Sequence, residues 1–321
     1  MPELLEDFSL SKQNHKKGSI QKIGIVGCGN VGQEIARLLS QYGLEVIYIE
    51  KNTELVEEVF GKIKKQLDEA IDKWGLTEGD KRAILSRIKG STEYSSLSNC
   101  DLVIEAIYSY KTGSSLDERR EIFRNIEQYV SEETVICSNS STLMISDIAS
   151  FLQHPERSMG LHFLSPETTV KIVEVVRGLN TNDETYDFVC KFAKMIEKKV
   201  ITVNESPGNI STRLICTLIN EACETLMEGV ASVQDIDDTM KLGFGLQVGP
   251  LELADKLGLD KILKYMDNLY AEFGLQKFKA SPIIKRLVRA NHLGRKTLKG
   301  FYSYDGERKI GEAISCPEYK L

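Results

Sequence analysis

The 321-residue chain has no run of about 18 consecutive apolar residues, so nothing in it is read as spanning a membrane. Its first residues, MPELLEDFSLSKQNHKKGS, lack the apolar centre of a secretory signal. Their early acids also weigh against a mitochondrial transit peptide, and residues 1–19 are read as a polar N-terminal tail. The seven cysteines are odd in number and form no C-x-x-C. They read as the reduced thiols of a cytoplasmic protein, and no metal site is read from them. Positive charge is not in excess: the formal net charge is −6, which argues against a nucleic-acid partner. There is no internal repeat and no low-complexity stretch. What remains is ordinary for a soluble globular protein, 41% hydrophobic and 27% charged, in a chain long enough for two domains.

The organising stretch is IGIVGCGNVGQEIARLLSQYGLEVIYIE, residues 23–50. A short apolar run, Ile23 to Val26, suits a buried parallel strand. Gly27-Cys28-Gly29-Asn30-Val31-Gly32 follows as a G-x-G-x-x-G. The first glycine permits a tight turn, the second lets backbone approach a pyrophosphate, and the third lets the next helix pack close. A helix is expected from Val31 to Tyr42, ended by Gly43, and then a strand from Val46 to Ile49. Glu50 stands 18 residues after Gly32, where an acid can accept hydrogen bonds from a ribose hydroxyl. A carboxylate there repels a 2′-phosphate, so NAD is favoured over NADP, although Lys51 could soften that rejection. Alone, the glycine pattern is weak, and an αβ unit that binds no nucleotide is the plain alternative. The strand before, the helix after and the acid at the next strand tip make the dinucleotide reading the stronger one.

Further on, Asn52 can cap a long helix reaching about Trp74, and Thr77-Glu78 starts another toward Ser86. An edge element at Ile88 to Ser91, a strand at Asp101 to Ala106, a polar loop at 108–117, a helix from Glu118 to Val130 and a strand at Thr134 to Ser138 come next. Strands alternating with helices imply a doubly wound parallel sheet, with ligands beyond the strands' carboxyl ends. Gly29, Glu50, Ala106 and Ser141 then share one rim. His162 lies in GLHFLSP and Glu174 in VKIVEVV. A lone buried histidine is commonly a satisfied core residue. A glutamate among valines is harder to dismiss, because an unpaired buried carboxylate costs several kcal/mol. A His162–Glu174 pair would satisfy both groups and make the imidazole a better base. Glu205-Ser206-Pro207-Gly208 marks a domain boundary. Beyond it only helices are expected, at about 209–228, 233–241, 250–273 and 282–290. Ile210, Leu214, Leu218 and Ala222 draw an apolar stripe, widened by Ile215, Ile219 and Leu226, of the kind a partner subunit covers.

With these residues in view, the chain resembles the L-3-hydroxyacyl-CoA dehydrogenases, in particular the bacterial 3-hydroxybutyryl-CoA type, over roughly residues 20 to 304. The likeness rests on the glycine turn, EAI at 105–107, SNSSTL at 138–143, GLHFLSP at 160–166, KIVEVV at 171–176, ESPGNISTR at 205–213, DIDDTMKLGFGLQVGPLELAD at 235–255 and GRKTLKGFYSY at 294–304. It implies a Rossmann-type α/β domain over residues 20–204 and an all-α domain over 205–321 that carries substrate contacts and forms a homodimer. It implies NAD as cofactor and a short-chain 3-hydroxyacyl thioester of CoA as substrate. Position by position, it implies His162 as base, Glu174 as its partner and Ser141 as a contact to substrate and nicotinamide. The cofactor is expected against Gly27, Gly29, Asn30, Val31, Gly32, Glu50, Ala106, Ile107, Ser165 and Lys296. Three positions depart from the family pattern. Ser165 replaces the asparagine of HFFNP, Thr212 replaces the catalytic asparagine of GFIVNR, and Ser109 replaces a second glutamate after EAI. These departures leave two alternatives: a relative acting on an acyl group carried by an acyl carrier protein in biosynthesis, and a non-catalytic NAD-binding relative.

Overall fold

The computed structural model describes residues 20–72, 75–108, 115–164 and 170–314. The expected tail, most of the polar loop after Tyr108, Trp74, Ser109 and Ser165 lie outside the described residues. The glycine-turn unit forms as its pattern requires: β1 (Lys22–Val26), α1 (Asn30–Gln41) and β2 (Glu45–Ile49). α2 (Thr53–Asp72), α3 (Glu78–Ser86) and β3 (Ile88–Ser91) follow. Thr77 and Asp80 cap α3 reciprocally. Next are β4 (Leu102–Glu105), α4 (Leu116–Tyr129), which starts two residues before its expected Glu118, and β5 (Val135–Ser138). The unit closes with α5 (Ile145–Ala149), β6 (Ser158–His162), β7 (Ile172–Arg177), α6 (Asp183–Met195) and β8 (Lys199–Asn204).

The eight strands form one sheet in the order β3-β2-β1-β4-β5-β6-β7-β8. Helices cover both faces, because near-continuous apolar strands leave no face that tolerates water. On one face, Val59, Ile63 and Leu67 of α2 join Val189 and Phe192 of α6 in a core with Leu161, Val173 and Val175. On the other, Phe123 and Ile126 of α4 and Ile148 of α5 pack on Val103 and Ile136. The sheet is not parallel throughout: β7 runs antiparallel to β6, and β8 follows β7. The start of β7 therefore lies on the same rim as the ends of β1 to β6.

The C-terminal part comprises α7 (Ser211–Met227), α8 (Val233–Asp238), α9 (Pro250–Leu257), α10 (Leu259–Phe273) and α11 (Pro282–Arg289) around a core of its own. Three expectations are corrected here. The expected 233–241 helix ends at Asp238 and continues as one π turn, Thr239–Gly243. The expected 250–273 helix is two helices, broken at Gly258 by a left-handed φ of 95° that helical propensity does not reveal. The region is also not all helical, since β9 (Tyr302–Asp305) and β10 (Arg308–Glu312) form an antiparallel hairpin. In YSYD the two tyrosines alternate inward and are captured by buried carboxylates. Asp255 accepts from the amides of Phe301 and Tyr302 and from the Tyr304 hydroxyl, at 2.9, 2.9 and 3.0 Å. Asp237 accepts from the amides of Leu251 and Glu252 and from the Tyr302 hydroxyl, at 2.8, 2.9 and 2.9 Å. The apolar stripe on α7 also divides. Ile219, Ala222 and Leu226 belong to the core, Leu218 is half-buried, and Ile210 and Leu214 are exposed.

Candidate active site

The glycine turn is shaped by its contacts. Gly27 has φ +85°, and a Cβ there would lie 2.6 Å from the Ile107 side chain. A Cβ on Gly32 would lie 2.5 Å from the carbonyl oxygen of Gly27. Around Gly29, by contrast, a Cβ would meet nothing within 4 Å. Gly29 is the N-cap of α1 and makes no side-chain cap bond, and the first turn carries no acid. A bare helix N-terminus of this kind suits a pyrophosphate, so Gly27, Gly29, Asn30, Val31 and Gly32 fit a dinucleotide. Glu50 stands against this turn, its Oε1 accepting from the Cys28 amide at 2.6 Å.

Ala106 and Ile107 border the same turn and are held from beneath. Glu105, fully buried at the end of β4, is paired with Arg119 of α4. Glu105 also accepts from the Ile107 amide and the Ser138 hydroxyl, each at 2.7 Å, while Arg119 donates to the Ile107 carbonyl at 2.9 Å. Both backbone groups of Ile107 are thus clamped by one ion pair. Sequence reasoning missed this pair, although a glutamate in the apolar run LVIEAI carries the same signal that singled out Glu174.

At the next two strand ends the catalytic candidates meet. β5 and β6 are parallel neighbours, with Ser138 opposite Gly160, so Ser141 and His162 emerge from the same end of the sheet. Asn139 ties the two loops, its Oδ1 accepting from the Phe163 amide at 2.9 Å. His162 and Glu174 are direct cross-strand partners in the antiparallel β6–β7 register. Leu161, Val173 and Val175 point into the α6-side core, so His162 and Glu174 point to the opposite face. His162 Nδ1 lies 2.8 Å from Glu174 Oε2, and both residues are buried. Glu174 also accepts from the amide of Ser211 through Oε1 at 2.8 Å and from the Ser211 hydroxyl through Oε2 at 2.9 Å. Ser211 is the first residue of α7, whose positive end faces the carboxylate. Burial works against the charge on Glu174. The bonds from His162 and Ser211 outweigh it and hold the carboxyl below the usual carboxylate range. An ionised carboxylate only accepts, so Nδ1 carries the proton and Nε2 is left as the basic nitrogen. Ser211 was not singled out from sequence, and no local pattern marks it.

Thr212, the next residue after Ser211, is buried in the first turn of α7. Lys296 takes a different position from the other expected cofactor residues. It is paired with Asp260 on α10. Asp260, Lys264 and Asn268 are spaced by four and share one face of that helix. Asn268 donates to Thr142 at 2.9 Å, and the Lys264 ammonium lies 5.4 Å from the centre of the Tyr108 ring. That face therefore closes over the rim, with Lys296 at one end. Among the described residues no group of three or more His, Cys, Asp or Glu side chains is placed to hold a metal ion.

Comparison with known proteins gives this geometry a family. Residues 22–206 match the 3-hydroxyacyl-CoA dehydrogenase NAD binding domain, and residues 208–304 match the 3-hydroxyacyl-CoA dehydrogenase C-terminal domain. A 3-hydroxybutyryl-CoA dehydrogenase of Clostridioides difficile is 35% identical over 284 residues, 88% of this chain and 99% of that protein. The human mitochondrial hydroxyacyl-coenzyme A dehydrogenase is 32% identical, covering 92% of this chain and 95% of its own length. Among solved structures, the (S)-3-hydroxybutyryl-CoA dehydrogenase of Ralstonia eutropha is similar at a TM-score of 0.81 with 39% identity, covering 89% of this chain and all of that one. With both parts matched in order, the chain belongs to the 3-hydroxyacyl-CoA dehydrogenase family.

Proposed function

We propose that this chain is an NAD-dependent 3-hydroxyacyl thioester dehydrogenase acting on a short acyl chain, with His162 as its general base. The single observation that carries this reading is the His162–Glu174 pair, oriented by α7 and opening onto the rim that holds the glycine turn. His162 Nε2 takes the proton from the 3-hydroxyl, and Glu174 holds the tautomer and stabilises the imidazolium that forms. Ser141 donates a hydrogen bond to the reacting oxygen, and Thr212 supplies a second donor where relatives use an amide. The glycine turn, Glu50 and the Ala106–Ile107 segment would hold NAD, with Lys296, paired to Asp260 of α10, beside them, and NAD would supply the hydride acceptor. Ser165 is proposed to line the nicotinamide side.

The test is NADH oxidation with acetoacetyl-CoA, then with the same acyl group on a carrier protein. Turnover of the CoA thioester supports the reading. Turnover only of the carrier-bound thioester would favour a biosynthetic relative, and turnover of neither would favour a non-catalytic NAD-binding protein. Thr212 is the departure that bears on this choice. Threonine keeps one donor but is shorter than asparagine by about one atom. Thr212→Val keeps the shape and removes the hydroxyl, and should cost roughly 1–3 kcal/mol of transition-state stabilisation, about 5- to 150-fold in kcat/KM. Thr212→Asn should raise the rate on acetoacetyl-CoA. A silent Val with no gain from Asn would remove Thr212 from the reaction.

We further propose a homodimer formed through the C-terminal part. Ile210, just before α7, and Leu214 on it are exposed, as are Leu242 in the π turn and Phe244 after it, and exposed side chains of that size are commonly covered by a partner. Light scattering should report twice the chain mass at micromolar concentration; a monomer would exclude the proposal. Among the described residues no helix is long and apolar enough to cross a membrane. The six described cysteines are free, which supports a cytoplasmic setting.

A further inference from the structure

Three donors converge on Glu174, and one of them is not needed to hold it. The Ser211 amide anchors Oε1, and His162 Nδ1 occupies Oε2. The Ser211 hydroxyl is also directed at Oε2, at 2.9 Å. A serine that caps a helix's own amides stands just before the helix, whereas Ser211 is the first residue within it. Here the residue preceding α7, Ile210, makes no side-chain cap bond, and the serine hydroxyl reaches instead across 37 positions of sequence to a strand carboxylate.

We propose that Ser211 is a positioning residue for the acid–base pair: its hydroxyl shares the Glu174 oxygen that accepts the hydrogen bond from His162 Nδ1, keeps the carboxylate in line with the imidazole and draws off part of its charge. This inference rests on the reading of His162 as the base. Two donors on one oxygen compete, so losing the hydroxyl leaves Oε2 richer in charge and binds the imidazolium more tightly. Other charged groups on the elements around the pair are engaged elsewhere. Arg177 on β7 pairs with Asp183, and Lys198, just before β8, donates to the Val170 carbonyl. Arg213 on α7 lies over the Phe273 ring. Asp147 on α5 is half-buried, and its backbone oxygen accepts from Arg120. Ser211 is therefore the nearest adjustable group on Glu174.

Ser211→Thr retains a hydroxyl, and Ser211→Val has the same shape without one. In the oxidation direction the base must be neutral, so the acid limb of kcat/KM against pH reports its protonation. In Ser211→Val this limb, and the NMR titration of the His162 ring in the cofactor-free protein, should both move up by about half a pH unit or more. At neutral pH kcat should fall about three- to tenfold with KM for NAD unchanged, and Ser211→Thr should behave as the unaltered protein. Ser211→Ala, smaller and unbranched, makes the same comparison if the valine variant does not fold. A hydroxyl-free variant whose ring titration and acid limb superimpose on those of the unaltered protein overturns the inference. His162→Gln, assayed alongside, separates the two readings. If it abolishes activity while the Ser211 variants are silent, only the present inference falls; if it stays active, the base reading falls with it.

Discussion

His162→Gln should lower kcat by at least about 100-fold, the low end for losing a general acid–base group, while circular dichroism and NADH binding stay unchanged. The glutamine amide reaches the position of Nε2 rather than Nδ1, and the buried Glu174 carboxylate keeps its bonds from the Ser211 amide and hydroxyl at 2.8 and 2.9 Å, so it is not stranded. What it cannot do is accept a proton near neutral pH. The loss should therefore appear in kcat rather than in KM for either ligand. A variant within tenfold of the unaltered enzyme would reduce His162 to a satisfied core histidine, the alternative its apolar surroundings allow.

Arg119→Leu should cause the largest loss of stability of any single change near the site. It leaves Glu105, which has no solvent exposure, without its cation. Breaking a buried pair from one side costs about 3–5 kcal/mol, because the remaining charge has neither water nor a counter-charge. At roughly 2–4 °C per kcal/mol for a unit of this size, the melting temperature of the nucleotide-binding part should fall by about 6–20 °C. The double change Glu105→Leu with Arg119→Leu removes both charges and should recover much of that loss. Activity should not return with it. Ile107 would still lack the carboxylate on its amide and the guanidinium on its carbonyl, the two contacts that place it against Gly27. A thermal melt and kcat/KM measured on the three variants check the split. Parallel recovery of both would mean that the pair acts only through stability.

Some of the site could be read directly from local pattern. The glycine turn with its strand, helix and second strand appears within one or two residues of expectation, since apolar runs and glycines set those elements over short spans. His162 and Glu174 could be marked as candidates, because an acid in a run of valines is costly without a partner. The glycine at 258 could not be read as a helix break, because both flanking segments keep helical periodicity. The 302–312 hairpin could not be foreseen either, since what holds it is capture of Tyr302 and Tyr304 by Asp237 and Asp255, about 50 to 65 residues away.

The sequence by itself determined the family, the α/β class, NAD as the cofactor and the residue types that can move a proton, because each is written in short patterns whose chemistry does not depend on distant neighbours. Only the tertiary structure decided that β7 runs antiparallel to β6, which puts His162 directly opposite Glu174. It also decided that Ser211 reaches Glu174 and that Arg119 lies under Ile107. Strand periodicity states which face a side chain takes but not which strand lies beside it. That choice is made by burial summed over the whole sheet, and the buried polar partners of the site follow from it.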